Sequence, residues 1–172
     1  MIESNWTCWV KPLQINAPMS LIWKEILDFP SYTSWNPFHR QVKIFENTQG
    51  ERFVRMWINY GASKTQELIP VEKASPLSDE KLIYVDERER FCILIYALDW
   101  YFIPTMRCQV VEDRGDNTCM YYSYDHFGGW VPLALLKCTM QRLLQDNFTT
   151  AALALKARCE SLVKQPNNKS KI

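Results

Sequence analysis

The chain has 172 residues, with 20 Lys and Arg against 19 Asp and Glu, a formal net charge of +1, and 47% hydrophobic and 23% charged residues. That profile fits one globular domain; it argues against a nucleic-acid binder, which needs a net basic face, and against a polybasic membrane anchor. Aromatic residues reach 13%, a content that suits either a bulky core or the walls of a small-molecule pocket.

Residues 6–15 mix β-branched, aromatic and polar types and read as a first strand. Pro18 suits the first turn of a helix, and Leu21, Ile22, Trp23, Ile26 and Leu27 then form an apolar stripe at helical spacing up to Asp28. Phe29-Pro30-Ser31 breaks the stripe. The next segment, to Phe38, reads as a short second helix or an ordered loop.

From His39 to Phe127 the pattern is β. Val42 and Ile44 alternate with polar residues before the turn Asn47-Thr48-Gln49-Gly50, and Val54, Met56 and Ile58 alternate after it. Gly61-Ala62-Ser63 punctuates; residues 65–74 then read as a further strand ended by Ser75-Pro76. Residues 82–86, 105–112 and 118–127 complete the set, the last two flanking a turn at 113–117. Short strands joined by polar turns imply antiparallel hairpins, since parallel strands need crossover connections. The aromatic run 91–103, interrupted by Asp99, is either part of long strands crossing the sheet or a lid at a cavity mouth, and it is too short to span a bilayer.

After Gly128-Gly129 the period changes. Leu133, Leu136, Met140, Leu144, Phe148, Ala151, Leu155, Cys159 and Leu162 step by three or four, which predicts an amphipathic helix of about 45 Å whose apolar face needs the sheet as partner. Residues 1–164 thus read as a single domain and 165–172 as a polar C-terminal tail.

The cysteines, Cys8, Cys92, Cys108, Cys119, Cys138 and Cys159, form no CxxC pair, and Met1-Ile2-Glu3-Ser4-Asn5 lacks the regions of a signal peptide. Reduced, buried thiols in a cytoplasmic protein are expected. With only His39 and His126, and no Cys/His cluster, no metal site is expected. No nucleophile elbow, phosphate-binding loop or dinucleotide fingerprint is present.

Three pieces, in order, carry a resemblance. They are the opening Ala17-Pro18…Ile22-Trp23…Leu27-Asp28-Phe29…Tyr32…Trp35-Asn36-Pro37-Phe38, the joint Phe127-Gly128-Gly129…Val131-Pro132-Leu133, and the closing Phe148…Ala154-Leu155-Lys156-Ala157-Arg158…Glu160. Together they resemble the START-like or SRPBCC superfamily, and within it the polyketide cyclase/dehydrase-like proteins. The resemblance implies an α+β helix-grip fold: a curved antiparallel sheet of about seven strands wrapped around a long C-terminal helix, with two short helices after strand 1 and a ligand cavity between sheet and helix.

The inward polar groups then become the question. On the last strand, alternation presents either Cys119, Tyr121, Ser123, Asp125 and Phe127 or Met120, Tyr122, Tyr124 and His126, both mixed sets. The resemblance favours the first, because Phe127 falls where the family has an inward Phe. It also puts Tyr84 in place of an inward Trp, with Leu82 and Asp86 on the same side. Where the family often carries His and Glu two apart, this chain has Ser123 and Asp125.

The expected catalytic groups are Asp125, Asp86 and Tyr84. The expected ligand-binding wall is Trp35, Met56, Ile58, Leu82, Tyr121, Ser123, Phe127, Leu136, Met140, Leu144 and Phe148. Buried carboxyls raised toward neutrality can exchange protons with a carbonyl compound. The bland reading is that each Asp caps a turn or pairs with an Arg, and that His126 lies on the outer face. The resemblance implies a hydrophobic or polyketide-like ligand and cofactor-free cyclisation, dehydration or isomerisation. The alternatives are a non-catalytic carrier or sensor, and an adaptor that uses 91–103 as a partner surface. Neither nucleic acid nor integral membrane association is expected, and a homodimer is left open.

Overall fold

The structure, a computed structural model, describes residues 6–76, 79–88, 91–98, 105–128 and 133–164, with the backbone alone described at 83–88, 91–98 and 133–139. In chain order the elements are β1 (Trp6–Ile15), α1 (Met19–Leu27), α2 (Tyr32–Trp35), β2 (His39–Glu46), β3 (Arg52–Ile58), α3 (Ala62–Thr65), β4 (Ser75–Pro76), β5 (Glu80–Arg88), β6 (Phe91–Leu98), β7 (Thr105–Gly115), β8 (Thr118–Phe127) and α4 (Leu133–Lys164).

Turn chemistry sets the hairpins. Between β2 and β3 the Asn47 side-chain oxygen accepts from the amides of Gln49 and Glu51, while Gly50 supplies a positive φ of 77°. β7 and β8 turn about Asp116-Asn117, both left-handed at φ 52° and 55°, a pairing whose twist matches that of the strands. All described pairings are antiparallel, in the order β1-β8-β7-β6-β5-β3-β2, with the short β4 on β3.

Two register shifts matter for the site. In β1 the pairing slips between Val10 and Leu13, where Pro12 has no N–H to give the ladder. In β2 it slips between His39 and Gln41, so the extra residue Arg40 leaves the ladder and turns toward neighbouring loops. Its guanidinium donates to the carbonyls of Ile69, Asn36 and Thr33, each at 2.7 Å.

The long helix grips the sheet as its periodicity predicts. Phe148, Ala151, Ala152, Leu155 and Cys159 are buried at three- and four-residue spacing, against β1, β8 and the short helices. Ile22, Trp23 and Ile26 of α1 join the same core, with Ile15, Val54 and Ile58 from the strands. Polar ties fix the helix. The Asn147 side chain accepts from the Ser63 amide at 2.8 Å and donates to the Tyr60 carbonyl at 3.0 Å. Arg158 pairs with the buried Glu25 at 3.0 Å. Cys8, Cys108, Cys119 and Cys159 are buried free thiols.

The segment 65–74 is not a strand. α3 ends on Gln66 in the left-handed region at φ 56°, and the chain then runs to a 3₁₀ turn at Val71–Lys73. Pro70 removes one ladder donor, and Arg40 takes the Ile69 carbonyl that a partner strand would need. Of the two readings of 91–103, the strand holds for 91–98, which forms β6 inside the sheet; Asp99, Trp100 and Phe102 lie outside the described residues, as do the joint 129–132 and the tail 165–172. No described helix is long and apolar enough to cross a membrane.

Candidate functional site

Pairing across the β7–β8 hairpin puts Arg107 opposite Asp125, Gln109 opposite Ser123 and Val111 opposite Tyr121. This row faces α4. Arg107 is only 6% exposed, and its guanidinium lies 3.8 Å from the centre of the Phe148 ring. It donates to Asp125 Oδ1 and to Ser123 Oγ, both at 3.3 Å. Tyr121 donates to Gln109 Oε1 at 2.9 Å. Cys8 of β1 closes the row from the other side, opposite Asp125.

A second carboxyl, half-buried, borders this interior. Glu80 opposes the fully buried Val54 and shares the inward row of Leu82. Burial pushes its carboxyl up to about 8; the charge of Asp125 raises it further and Arg107 opposes the rise. Asp125 is pushed up to about 6 by burial, against the pull of Arg107. His39 is held well below its ordinary value by burial and then by the Arg107 charge, so it stays neutral. The interior therefore places a guanidinium beside a raised Asp125, with the half-buried Glu80 raised further.

The space beside this cluster is small. Phe29, Tyr32, Trp35, His39, Met56, Arg107, Gln109, Tyr121, Ala151 and Leu155 are among the residues bordering a cavity of about 20 Å³, room for a single water. A roomy cavity, expected from the resemblance, is not what these residues enclose; among the described residues, aromatic rings and the Arg107 side chain fill the space beside the cluster. An apolar ligand that reaches the Arg107 side of the grip has to displace side chains.

The predicted residues fall as follows. Asp125, Tyr121 and Ser123 are buried on the inward row, as the resemblance implied, and Phe127 ends that row stacked on Trp6 at 4.3 Å. Trp35 and Met56 border the cavity, Phe148 lies under Arg107, and Ile58 is core. Leu82 and Leu144 pack partly buried against the core, and Met140 is half-buried. The side chains of Tyr84, Asp86 and Leu136 lie outside the described residues. The backbone register shifts between Leu82 and Tyr84, so the simple alternation that joined Leu82, Tyr84 and Asp86 is interrupted there. His126 stands on the opposite row, hydrogen-bonded to Thr7 at 2.8 Å beside Tyr124 and Trp9.

Sequence reasoning missed Arg107 and Glu80. No sequence signal placed Arg107: a two-residue turn at 116–117 alone would set it against His126, and the register shift between Asp113 and Gly115 moves it by one place to face Asp125.

No protein-family model matches the chain, and no curated protein does. Solved structures do. A START superfamily protein from Mycobacterium smegmatis aligns with a TM-score of 0.66 at 15% identity, over 91% of this chain and 98% of that one. The Zhui aromatase/cyclase from Streptomyces sp. R1128 aligns with 0.61 at 14% identity, over 97% and 100%. Norcoclaurine synthase from Thalictrum flavum aligns with 0.53 at 15%, over 92% and 99%. The fold is the START-like helix grip.

Proposed function

We propose that the protein binds a hydrophobic, carbonyl-bearing molecule of polyketide-like type between sheet and long helix, and promotes its cyclisation, dehydration or isomerisation by acid–base chemistry. The observation that carries this reading is the pair of inward carboxyls, Asp125 and Glu80, grouped with one buried guanidinium. A buried ionic cluster is commonly less stabilising than well-packed apolar residues of the same volume. Carboxyls whose environments push them to different values can divide the roles of base and acid. The aromatase/cyclase and synthase named above, on the same fold, support the choice of reaction class.

In this reading the ionised Asp125 takes a proton α to the ligand carbonyl. The oxygen that gains charge lies against Arg107, and the protonated Glu80 gives its proton to the departing hydroxyl, which leaves as water. Proton return from Asp125 to Glu80 restores the starting state. Tyr84 and Asp86, expected from the resemblance, remain part of the proposal as further groups on β5.

A carrier or sensor without chemistry is the second reading. The closure of Arg107 on Asp125 and the water-sized space favour it, since a resting receptor can be closed in this way. Asp125→Asn separates the two. If the first reading holds, turnover of an identified ligand, found by native mass spectrometry of the purified protein, is lost while affinity persists. If affinity alone changes and no turnover exists in the wild type, the second holds.

A further inference from the structure

His39 borders the same cavity as Arg107, Gln109 and Tyr121, and the proton transfers assigned to the carboxyls give it no part. The residue is 7% exposed, its ring set edge-on to Phe38 at 4.5 Å and beside Tyr32. A buried imidazole costs more to desolvate than an apolar ring of its size, so its two nitrogens need partners.

Asn36 decides which of those nitrogens carries the proton. Its side-chain oxygen accepts from the amides of Phe38 and His39, at 3.0 and 2.9 Å, which turns the amide nitrogen toward the ring. That nitrogen stands 3.5 Å from His39 Nδ1. An amide NH2 only donates, so Nδ1 has to accept, and the proton of the neutral imidazole belongs on Nε2. Asn36 is itself held, since Arg40 takes its backbone carbonyl at 2.7 Å. Burial and the Arg107 charge keep the ring from taking a second proton. The contact with Asn36 is the ring's one hydrogen bond among the described residues, which leaves the Nε2–H for the cavity.

We propose that His39 is a ligand-binding residue: its Nε2–H, set in that tautomer by Asn36, donates to the ligand's carbonyl oxygen in the cavity beside Arg107. A volume of about 20 Å³ suits one oxygen atom rather than a ring. A neutral donor adds a hydrogen bond where Arg107 already supplies the charge, and a second cation there would be repelled. The proposal rests on the ligand-binding reading above and adds to it a named donor and the residue that positions it.

Two measurements test it. Nitrogen-15 NMR of the imidazoles reads the tautomer, and His126→Gln leaves His39 as the only histidine. The Nε2–H form should persist from about pH 5 to 8. A ring that titrates near the ordinary 6.5, or that carries its proton on Nδ1, overturns the proposal. This readout keeps His39 in place, so it decides even where a substitution at 39 does not fold. The second measurement is equilibrium binding of 2-acetylnaphthalene and 2-ethylnaphthalene, alike in shape, with and without the carbonyl. Asn36→Asp keeps an oxygen for the two amides but offers a second one to Nδ1, which should draw the ring proton there. Asn36→Asp and His39→Leu should each weaken the ketone about fivefold, one net hydrogen bond, and leave the hydrocarbon unchanged. His39→Gln, whose amide nitrogen can stand in for Nε2, should recover most of the loss. Equal changes for both molecules, or none, remove His39 from the site and leave the ligand-binding reading standing. A wild type that binds neither counts against that reading and takes this proposal with it.

Discussion

Arg40 and Arg107 are both buried, at 4% and 6% exposure, and they are bound in opposite ways. Arg40 gives its donors to three backbone carbonyls at 2.7 Å, a fixed fork on fixed acceptors. Arg107 meets side chains instead, at 3.3 Å, longer than charge-assisted bonds usually run, beside groups that change protonation. The first arrangement has one stable state. The second can be rearranged by a ligand or by a proton, which is what a functional site needs.

Breaking the Arg40 clamp should have the largest effect. Arg40→Met leaves three carbonyls without their donor and should lower stability by about 3 kcal/mol or more in urea denaturation. Arg40→Lys should recover little, because one ammonium cannot span three separated acceptors. Arg107→Met should lower stability by roughly 1–3 kcal/mol at neutral pH, since Asp125 loses its counter-charge. Here the comparison sharpens: Arg107→Met with Asp125→Leu should return stability to the wild-type level or above it, yet abolish recognition of a polar ligand group. A double variant as unstable as the single one would make Arg107 a second Arg40.

The pH dependence should be the next largest effect. In the folded protein Asp125 and Glu80 hold protons up to about 6 and about 8, whereas their ordinary values are 3.8 and 4.5. Between those limits the folded state binds protons that the unfolded chain has released. Stability is therefore fullest below the ordinary values and falls as pH rises through the folded ones. Asp125→Asn should flatten the lower part of that fall and Glu80→Gln the upper part, both read from denaturation midpoints across pH. The smallest effect should come from the surface pair Arg55–Asp79; though well aligned at 2.6 and 2.8 Å, Arg55→Ala should leave the midpoint unchanged within error.

The fold was legible because its signals repeat. α4 keeps its apolar period from Phe148 to Cys159, and the hairpins are marked by Gly50 and by Asp116-Asn117. The segment 65–74 misled because Leu68 and Ile69 look strand-like, whereas tertiary contacts from Arg40 and the exposure of Leu68 decide their state. The site was half legible. On β8 a resemblance chose the inward row correctly, with Ser123 and Asp125 buried on it. On β7 hydrophobic alternation points the wrong way, since Cys108 and Val110 look like the inward set beside Arg107 and Gln109. Both rows of that strand are buried, which erases the alternation, and only strand pairing shows that the charged row faces the helix. Glu80 was hidden for a similar reason: it begins a strand, where a carboxylate ordinarily faces water.

Two raised carboxyls, the buried Asp125 and the half-buried Glu80, stand beside Arg107. Carbon-13 NMR of the side-chain carboxyls, assigned through Asp125→Asn and Glu80→Gln and followed across pH, measures this directly. Asp125 should titrate near 6 and Glu80 near 8, and each should move when the other is replaced. If both titrate together close to their ordinary 3.8 and 4.5, and neither responds to the other's loss, the cluster is solvated and the chemistry assigned to it is wrong.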